Sequence, residues 1–234
     1  MLILLRRLLY GWLLLCSLAE AKQTLILAAT PDLVSKISLE VLREAYAGLG
    51  YDVRPNQLAA ERALAMSNAG MVDGEANRIA GIESGYPNLL RVPVAVNFIE
   101  GLVVTRGLSF KVEGWQSLKP YKIGLQSGVK FAENATRGMY VDSSLSVNQL
   151  FRNLKREKVD LLVTTRIDVL DYLAKYPDPE VMILEPPLVR LKLYHYLNHK
   201  HRELLPKITA QLQKMQAEGR IEAIRQRLLR HSFN

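Results

Sequence analysis

"EAYAGLGYDVRPNQLAAERALAMSNAGMVDGE", residues 44–75, decides the fold. It opens inside a segment in which Ile37, Val41, Leu42, Ala45 and Leu49 recur at helical spacing, with Gly50 as a stop signal. "YDVRPNQL" reads as a strand, "AAERALAMSNAG" as a helix closed by Gly70, and "MVDGEANRI" as a further strand. Just upstream, "TLILAATPD" (24–32) is a short apolar run closed by Pro31, the pattern of a buried strand entering a loop. Strand, helix, strand, helix, strand is the order of a parallel sheet with crossover helices.

Moving outward, "NLLRVPVAV" and "FIEGLVVTRG" read as extended chain, and the α/β order restarts after Gly107. "YKIGLQSG" is a strand, "VKFAENATRG" a short helix, "MYVDSS" a strand, "SVNQLFRNLKREK" a helix, "VDLLVTTR" a strand and "IDVLDYLAKYPD" a helix. "EVMILEPPLVRLKLYHYLN" returns as extended chain. The C-terminus is helical, with Ile208, Leu212, Met215, Ile221, Ile224 and Leu228 as one apolar stripe interrupted near Gly219. Two α/β units joined by two extended crossings leave a cleft between them, a common place for small-molecule sites.

The first 21 residues combine Arg6 and Arg7, an apolar run from Leu8 to Leu18, and Ala19 and Ala21 in the small-x-small spacing of a signal-peptidase site. Cleavage is expected after Ala21, giving a periplasmic protein. The run falls short of the roughly 20 apolar residues that span a bilayer. A lipid anchor at Cys16 would want a small residue before it, and Leu15 is bulky. Loss of Arg6, Arg7 and Glu20 takes the 31 basic and 23 acidic side chains to 29 and 22, a net charge of +7. The only cysteine leaves with the leader, which excludes disulfides and thiol chemistry. Export and the lack of basic runs with interleaved aromatics exclude a nucleic-acid partner.

Three stretches in order resemble the type II periplasmic solute-binding proteins of family 3, best known for binding polar amino acids. They are residues 44–75, quoted above, "SLKPYKIGLQSGVKFAEN", similar to the segment that opens the family's second lobe, and "KMQAEGRIEAIRQRLL", similar to its C-terminal helix. The resemblance implies a two-lobed α/β periplasmic-binding-protein-like fold, each lobe a mainly parallel sheet flanked by helices, with two crossover strands. It places lobe 1 at 22–105 and 190–234 and lobe 2 at 106–189. It further implies a small-molecule ligand held between closing lobes, a membrane permease or receptor as partner, a monomer, and no cofactor or metal. Amino-acid-binding members usually carry a "T-x-x-R" segment after the third strand. Here "RIAGIESGYPNLLRVP" lacks it, and the usual Asp at the end of the second-lobe strand corresponds to Thr165. The family also includes dehydratases of cyclic dienols, which leaves an enzyme with Glu75 as general acid/base as the alternative to a binding protein.

In parallel sheets the ligand lies beyond the carboxyl ends of the strands, and "VDGEANRI" ends there. Gly74 permits close backbone approach, Glu75 can accept from donors, and Arg78 offers a planar fork suited to carboxylate; the alternative is that Glu75 and Arg78 pair as a brace. In "GLQSGVKFAE", Ser127, Gly128 and Val129 stand where a strand gives way to a helix whose N–H groups can hold an anion, with Lys130 adding charge; the alternative is ordinary capping by Ser127. Thr165 and Thr30 complete the expected polar shell, with Thr164, Asp32, Asn97, Phe98, Glu100, Tyr194 and Tyr196 as weaker candidates. The expected ligand is therefore anionic or zwitterionic. The four histidines all lie in the last fifth of the chain, His199 with His201 lacks the i, i+4 spacing of a helical metal pair, and neither a G-x-S-x-G elbow nor a P-loop occurs.

Overall fold

The computed structural model describes residues 23–233. The segment read as a signal peptide, with Cys16, lies outside the described residues. The chain begins with β1 (Gln23–Ala29), α1 (Leu33–Ala47), β2 (Tyr51–Gln57), α2 (Ala60–Asn68) and β3 (Gly74–Arg78). The long β4 (Leu89–Arg106) follows, then β5 (Ile123–Gln126), α3 (Lys130–Ala135), β6 (Val141–Ser144), α4 (Val147–Lys155), β7 (Leu161–Thr165) and α5 (Arg166–Lys175). The equally long β8 (Val181–Asn198) leads back to α6 (Leu205–Ala217) and α7 (Arg220–Phe233). The break between these last two helices falls at Gly219, where the apolar stripe is interrupted.

All eight strands join in one sheet of order β2-β1-β3-β8-β4-β7-β5-β6. Each outer half is parallel, as the strand–helix alternation requires, with β1 beside β2 and β3, and β5 beside β6 and β7. The halves meet through the antiparallel pair β4 and β8. β8 pairs with β3 from Tyr194 to Leu197, and β4 pairs with β7 from Gly101 to Thr105. Between them, Asn97–Glu100 and Arg190–Leu193 pair only with each other. These two short runs are the bridge. The sequence places the two hinge crossings near Thr105–Gly107 and Leu188–Lys192; the second overlaps this bridge, but Thr105 lies within the second half, against Leu161 and Met182. An 18-residue strand offered no sequence signal for where its partner changes.

Burial follows the same division. Leu27, Leu42, Tyr46 and Val94 pack with Ile208, Leu212 and Met215 in the first half. Leu102, Leu150, Phe151 and Leu162 pack in the second. A third cluster draws Leu33, Val34 and Ile37 at the start of α1 together with Ile123, Val163 and Ile167 from the second half and Ile99 and Leu193 from the bridge. This cluster is the apolar floor between the lobes. Each such side chain, fully buried, contributes about 1.5–3 kcal/mol, so the start of α1 is held firmly where it enters the cleft.

Candidate functional site

β3 ends at the cleft, but its first residues face away from it. A Cβ on Gly74 would lie 2.1 Å from the Tyr196 carbonyl, so the close approach this glycine permits is to β8 and not to a ligand. Glu75 is 1 % exposed, and both its oxygens accept from Arg78, at 3.1 Å from Nε and 3.2 Å from Nη2. Burial pushes the Glu75 carboxyl up, and Arg78 opposes the push. Arg78 reaches further, donating to the carbonyls of Ala60 at 2.8 Å and Gly128 at 3.3 Å. Its guanidinium therefore closes an ion pair within the first lobe and touches the second. The brace reading holds for this pair, and Glu75 does not line the cavity.

Behind β3 stands His195, fully buried on β8. Burial brings its pKa down to about 4, so the ring is neutral. Its Nδ1 lies 2.7 Å from the Glu75 carbonyl, which can only accept, so Nδ1 carries the proton. Nε2 is then the acceptor for the Tyr46 hydroxyl at 2.8 Å. The ring serves as a structural tie that fixes β3.

The turn from β5 to α3 also differs from expectation. Ser127 caps nothing: its N–H donates to Ser144 O at 2.9 Å, and the N-cap of α3 is Val129, whose side chain makes no capping bond. Gly128 has a φ of +83°, and a Cβ there would lie 2.5 Å from the Glu61 nitrogen of the first lobe. Its N–H donates to Glu133 Oε1 at 2.6 Å. A carboxylate from α3 itself thus occupies the group expected to hold an external anion. Lys130 donates to Glu61 at 2.7 Å and Glu133 at 2.9 Å. Burial pulls its ammonium down, yet these two carboxylates outweigh that and hold it above its ordinary pKa. The Lys130–Glu61 pair and the Arg78–Gly128 bond both cross from lobe to lobe.

α5 brings the residue that sequence reading missed. Thr165 is its N-cap, accepting from the Asp168 N–H at 3.2 Å and placed 2.6 Å from Asp168 Oδ2 with its own hydroxyl. This reciprocal cap turns Asp168 back towards the cavity. Among the described residues no cation pairs with it. Burial and the facing Asp32 push its carboxyl up to about 7. Asp32 caps α1 through the Ser35 N–H at 2.7 Å, so it is held at the opposite wall. Asp168 stands in the first helical turn, three residues after Thr165, the position that the resemblance assigned to the usual strand-end acid. The T-x-x-D spacing was the available signal.

Between the lobes lies a cavity of about 90 Å³. Of the residues expected in the site, Thr30, Arg78, Gly128, Val129, Lys130 and Thr165 line it, whereas Glu75 and Ser127 do not. Asn77 lines it too, and its buried Oδ1 has no hydrogen-bond partner among the described residues. Asp32, Gln126 and Asp168 also line a wider outer chamber of about 320 Å³, bounded by Leu145, Tyr172 and Tyr176. Among the weaker candidates, Asn97 and Phe98 lie behind the bridge, Glu100 pairs with Arg166 at 2.6 Å, and the buried Tyr196 donates to Ile79 O at 2.8 Å. No group of His, Cys, Asp or Glu among the described residues has the arrangement of a metal site.

Two α/β halves, a double crossing and a cavity between them define the two-lobed periplasmic-binding-protein fold. Solved structures of amino-acid-binding proteins share it. An ancestral arginine-binding protein bound to glutamine matches 88% of this chain and 97% of its own at 17% identity, with a TM-score of 0.72. A substrate-binding protein of an amino acid ABC transporter from Streptococcus pneumoniae, bound to L-arginine, matches 92% and 98% at 13% identity and a TM-score of 0.75. A histidine kinase sensor domain with similarity to periplasmic binding proteins matches 89% and 97% at 16% identity and a TM-score of 0.77. In sequence, an uncharacterized protein of Shewanella oneidensis (strain MR-1) is 28% identical over 194 residues, 80% of this chain and 73% of its own. No protein-family model matches the chain.

Proposed function

We propose that this chain is an exported solute-binding protein, released from its leader after Ala21, that captures a small amine-bearing zwitterion of the amino-acid kind between its lobes. The observation that carries the reading is the state of the cavity's polar groups. Its cations are engaged: Arg78 by Glu75 and two carbonyls, Lys130 by Glu61 and Glu133. Two acceptors are short of partners: among the described residues Asp168 meets hydroxyls but no cation, and Asn77 Oδ1 has no partner of any kind. Buried acceptors left this way favour a ligand that donates, and an ammonium between Asp168, Asp32 and Asn77 satisfies them. Thr30 and Thr165 complete the shell. The inner cavity is smaller than the roughly 150 Å³ that takes a benzene ring, so a larger side chain extends into the outer chamber.

Binding closes the lobes about the bridge at Asn97–Glu100 and Arg190–Leu193, and the closed form is offered to a membrane permease. The likeness to a histidine kinase sensor domain supports a second reading, in which a receptor takes the closed form. The dehydratase alternative required Glu75 in the cleft, and Arg78 holds both its oxygens elsewhere. A thermal-shift screen of amino acids, amines and simple carboxylates tests the proposal. At about a hundredfold excess over Kd a ligand adds about 2.7 kcal/mol, which in a protein of this size raises Tm by about 5–10 °C. An amine-bearing solute is expected to give that shift. A carboxylate without an amine giving the largest shift would overturn the assignment.

A further inference from the structure

A second cavity, of about 440 Å³, lies behind the bridge. Phe98 and Lys192 face it, while Ile99 and Leu193 of the same two strands face the cleft, so the cavities occupy opposite sides of the sheet and share no lining residue. Its apolar walls are Phe98 on β4, Leu191 on β8 and Ile221 on α7. Arg225 of α7 projects into it, half-buried, with the guanidinium carbon 3.8 Å from the centre of the Phe98 ring.

Arg225 makes no direct ion pair among the described residues, although Glu222 and Glu100 act on its charge from a distance. Its Nε donates to Asn97 Oδ1 at 3.2 Å, but its Nη groups have no partner and no carboxylate pairs with it among the described residues. Lys192, exposed at the rim, pairs with no carboxylate among the described residues either. Arg190 is matched, by Glu100, leaving Glu222 as the one acid on the groove's wall among the described residues. A half-buried guanidinium over an aromatic face, with donors open to a cavity of this size, has the geometry to receive a carboxylate, since its planar fork matches two carboxylate oxygens. The neighbouring apolar walls fit a flat or branched body attached to that carboxylate, and the volume exceeds the roughly 150 Å³ needed for a benzene ring.

We propose that this groove is a second ligand site, separate from the cleft, for a small aryl or branched-alkyl carboxylate held by Arg225 and Lys192 with its apolar body on Phe98, Leu191 and Ile221. The site stands whether or not the cleft binds an amine, because it draws on none of the cleft residues.

The test is titration of the protein with benzoate, benzyl alcohol and inorganic phosphate, followed by backbone amide NMR. Benzoate should give saturable shifts centred on Phe98, Leu191 and Ile221, and Arg225→Gln should weaken it by about tenfold or more. Lys192→Gln, at an exposed position, should weaken it less while leaving Tm unchanged; this variant keeps the test decisive if Arg225→Gln folds poorly. Benzyl alcohol and phosphate should each bind at least tenfold more weakly, because each lacks one half of the recognition (about 1.4 kcal/mol). Benzoate shifts absent from the groove, or binding unchanged in folded Arg225→Gln and Lys192→Gln, would refute the site. Equal binding of benzyl alcohol or of phosphate would refute the ligand class.

Discussion

The end of β3 and the start of α5 approach the same cavity with the same local device, an acid three residues from its partner, and they differ in what the partner is. At β3 the carboxylate of Glu75 meets the guanidinium of Arg78, and charge cancels charge. At α5 the carboxylate of Asp168 meets only hydroxyls, those of Thr165 at 2.6 Å and Thr164 at 3.5 Å, which orient it without neutralising it. The first arrangement is complete and acts as a brace; the second is incomplete and remains available to a ligand. In a cavity wall, the informative acid is the one whose charge the protein leaves unmatched.

The largest effect that can break this comparison is at the brace. Removing Arg78 leaves Glu75 buried without a counter-charge, the situation in which loss of one partner costs about 3–5 kcal/mol. Urea unfolding of Arg78→Ala should show a loss of that size. A cost under about 1 kcal/mol would mean that Glu75 is not balanced by Arg78, and the contrast with Asp168 would collapse.

The next effect belongs to Asp168. For the amine-bearing solute that stabilises the parent most, Asp168→Asn should weaken binding by about 2–4 kcal/mol, roughly 30- to 1,000-fold, because the ammonium then lies buried without its carboxylate. Calorimetric titration measures it, with the melting temperature of the empty variant as the folding control. Unchanged affinity would move the amine site away from α5.

A third, smaller effect sharpens the comparison in the empty protein. With its pKa at about 7 against an ordinary 3.8, Asp168 keeps in the folded state a proton that the unfolded chain releases. Its contribution to stability is therefore fully present below about pH 4 and is lost as pH rises towards 7. The loss should be of order 2 kcal/mol, since part of the carboxyl faces the cavity. Glu44, Glu61 and Glu100, held low by their basic partners, act in the opposite direction, so the readout is the difference between parent and Asp168→Asn. That variant should gain on the parent between pH 4 and 7. A constant difference across this range would contradict the assignment.

The fold was legible because its signals are local. Helical spacing in residues 37–49, the Gly70 stop and the stripe from Ile208 to Leu228 each act within a few residues. The site was legible only in part, because its decisive facts are pairings between distant residues. Nothing near Gly128 in sequence announces that Glu133 takes its N–H, or that Ala60 and Glu61 press against it. Glu75 and Arg78 drew attention as charges in a strand, yet only the fold shows that they complete each other. Asp168 was hidden by the reverse circumstance. It stands in the first turn of an amphipathic helix, where an acid ordinarily serves only the helix dipole.

The smallest stability effect concerns the ion pair that joins the lobes, and it separates folding from closure. Lys130 and Glu61 meet at 2.7 Å, but Glu61 is 55 % exposed, so water already solvates much of its charge. Such a pair contributes at most about 1 kcal/mol to the fold. Each lobe has its own core, and Glu61→Gln should leave the unfolding midpoint nearly where it was. On the proposed closure, the open form lacks this contact and the Arg78–Gly128 bond, so a fraction of a kcal/mol matters to the balance between the two forms. Loss of the pair should shift the empty protein towards the open form, raising its radius of gyration in small-angle scattering, while saturating ligand restores the compact value. Glu133→Gln is the matched control, because Glu133 bonds Lys130 from within its own lobe. If both variants expand the empty protein equally, the effect lies in Lys130 itself and not in the contact between lobes. If neither does, the lobes are held by Arg78 and the apolar floor alone, and the Lys130–Glu61 pair has no part in closure.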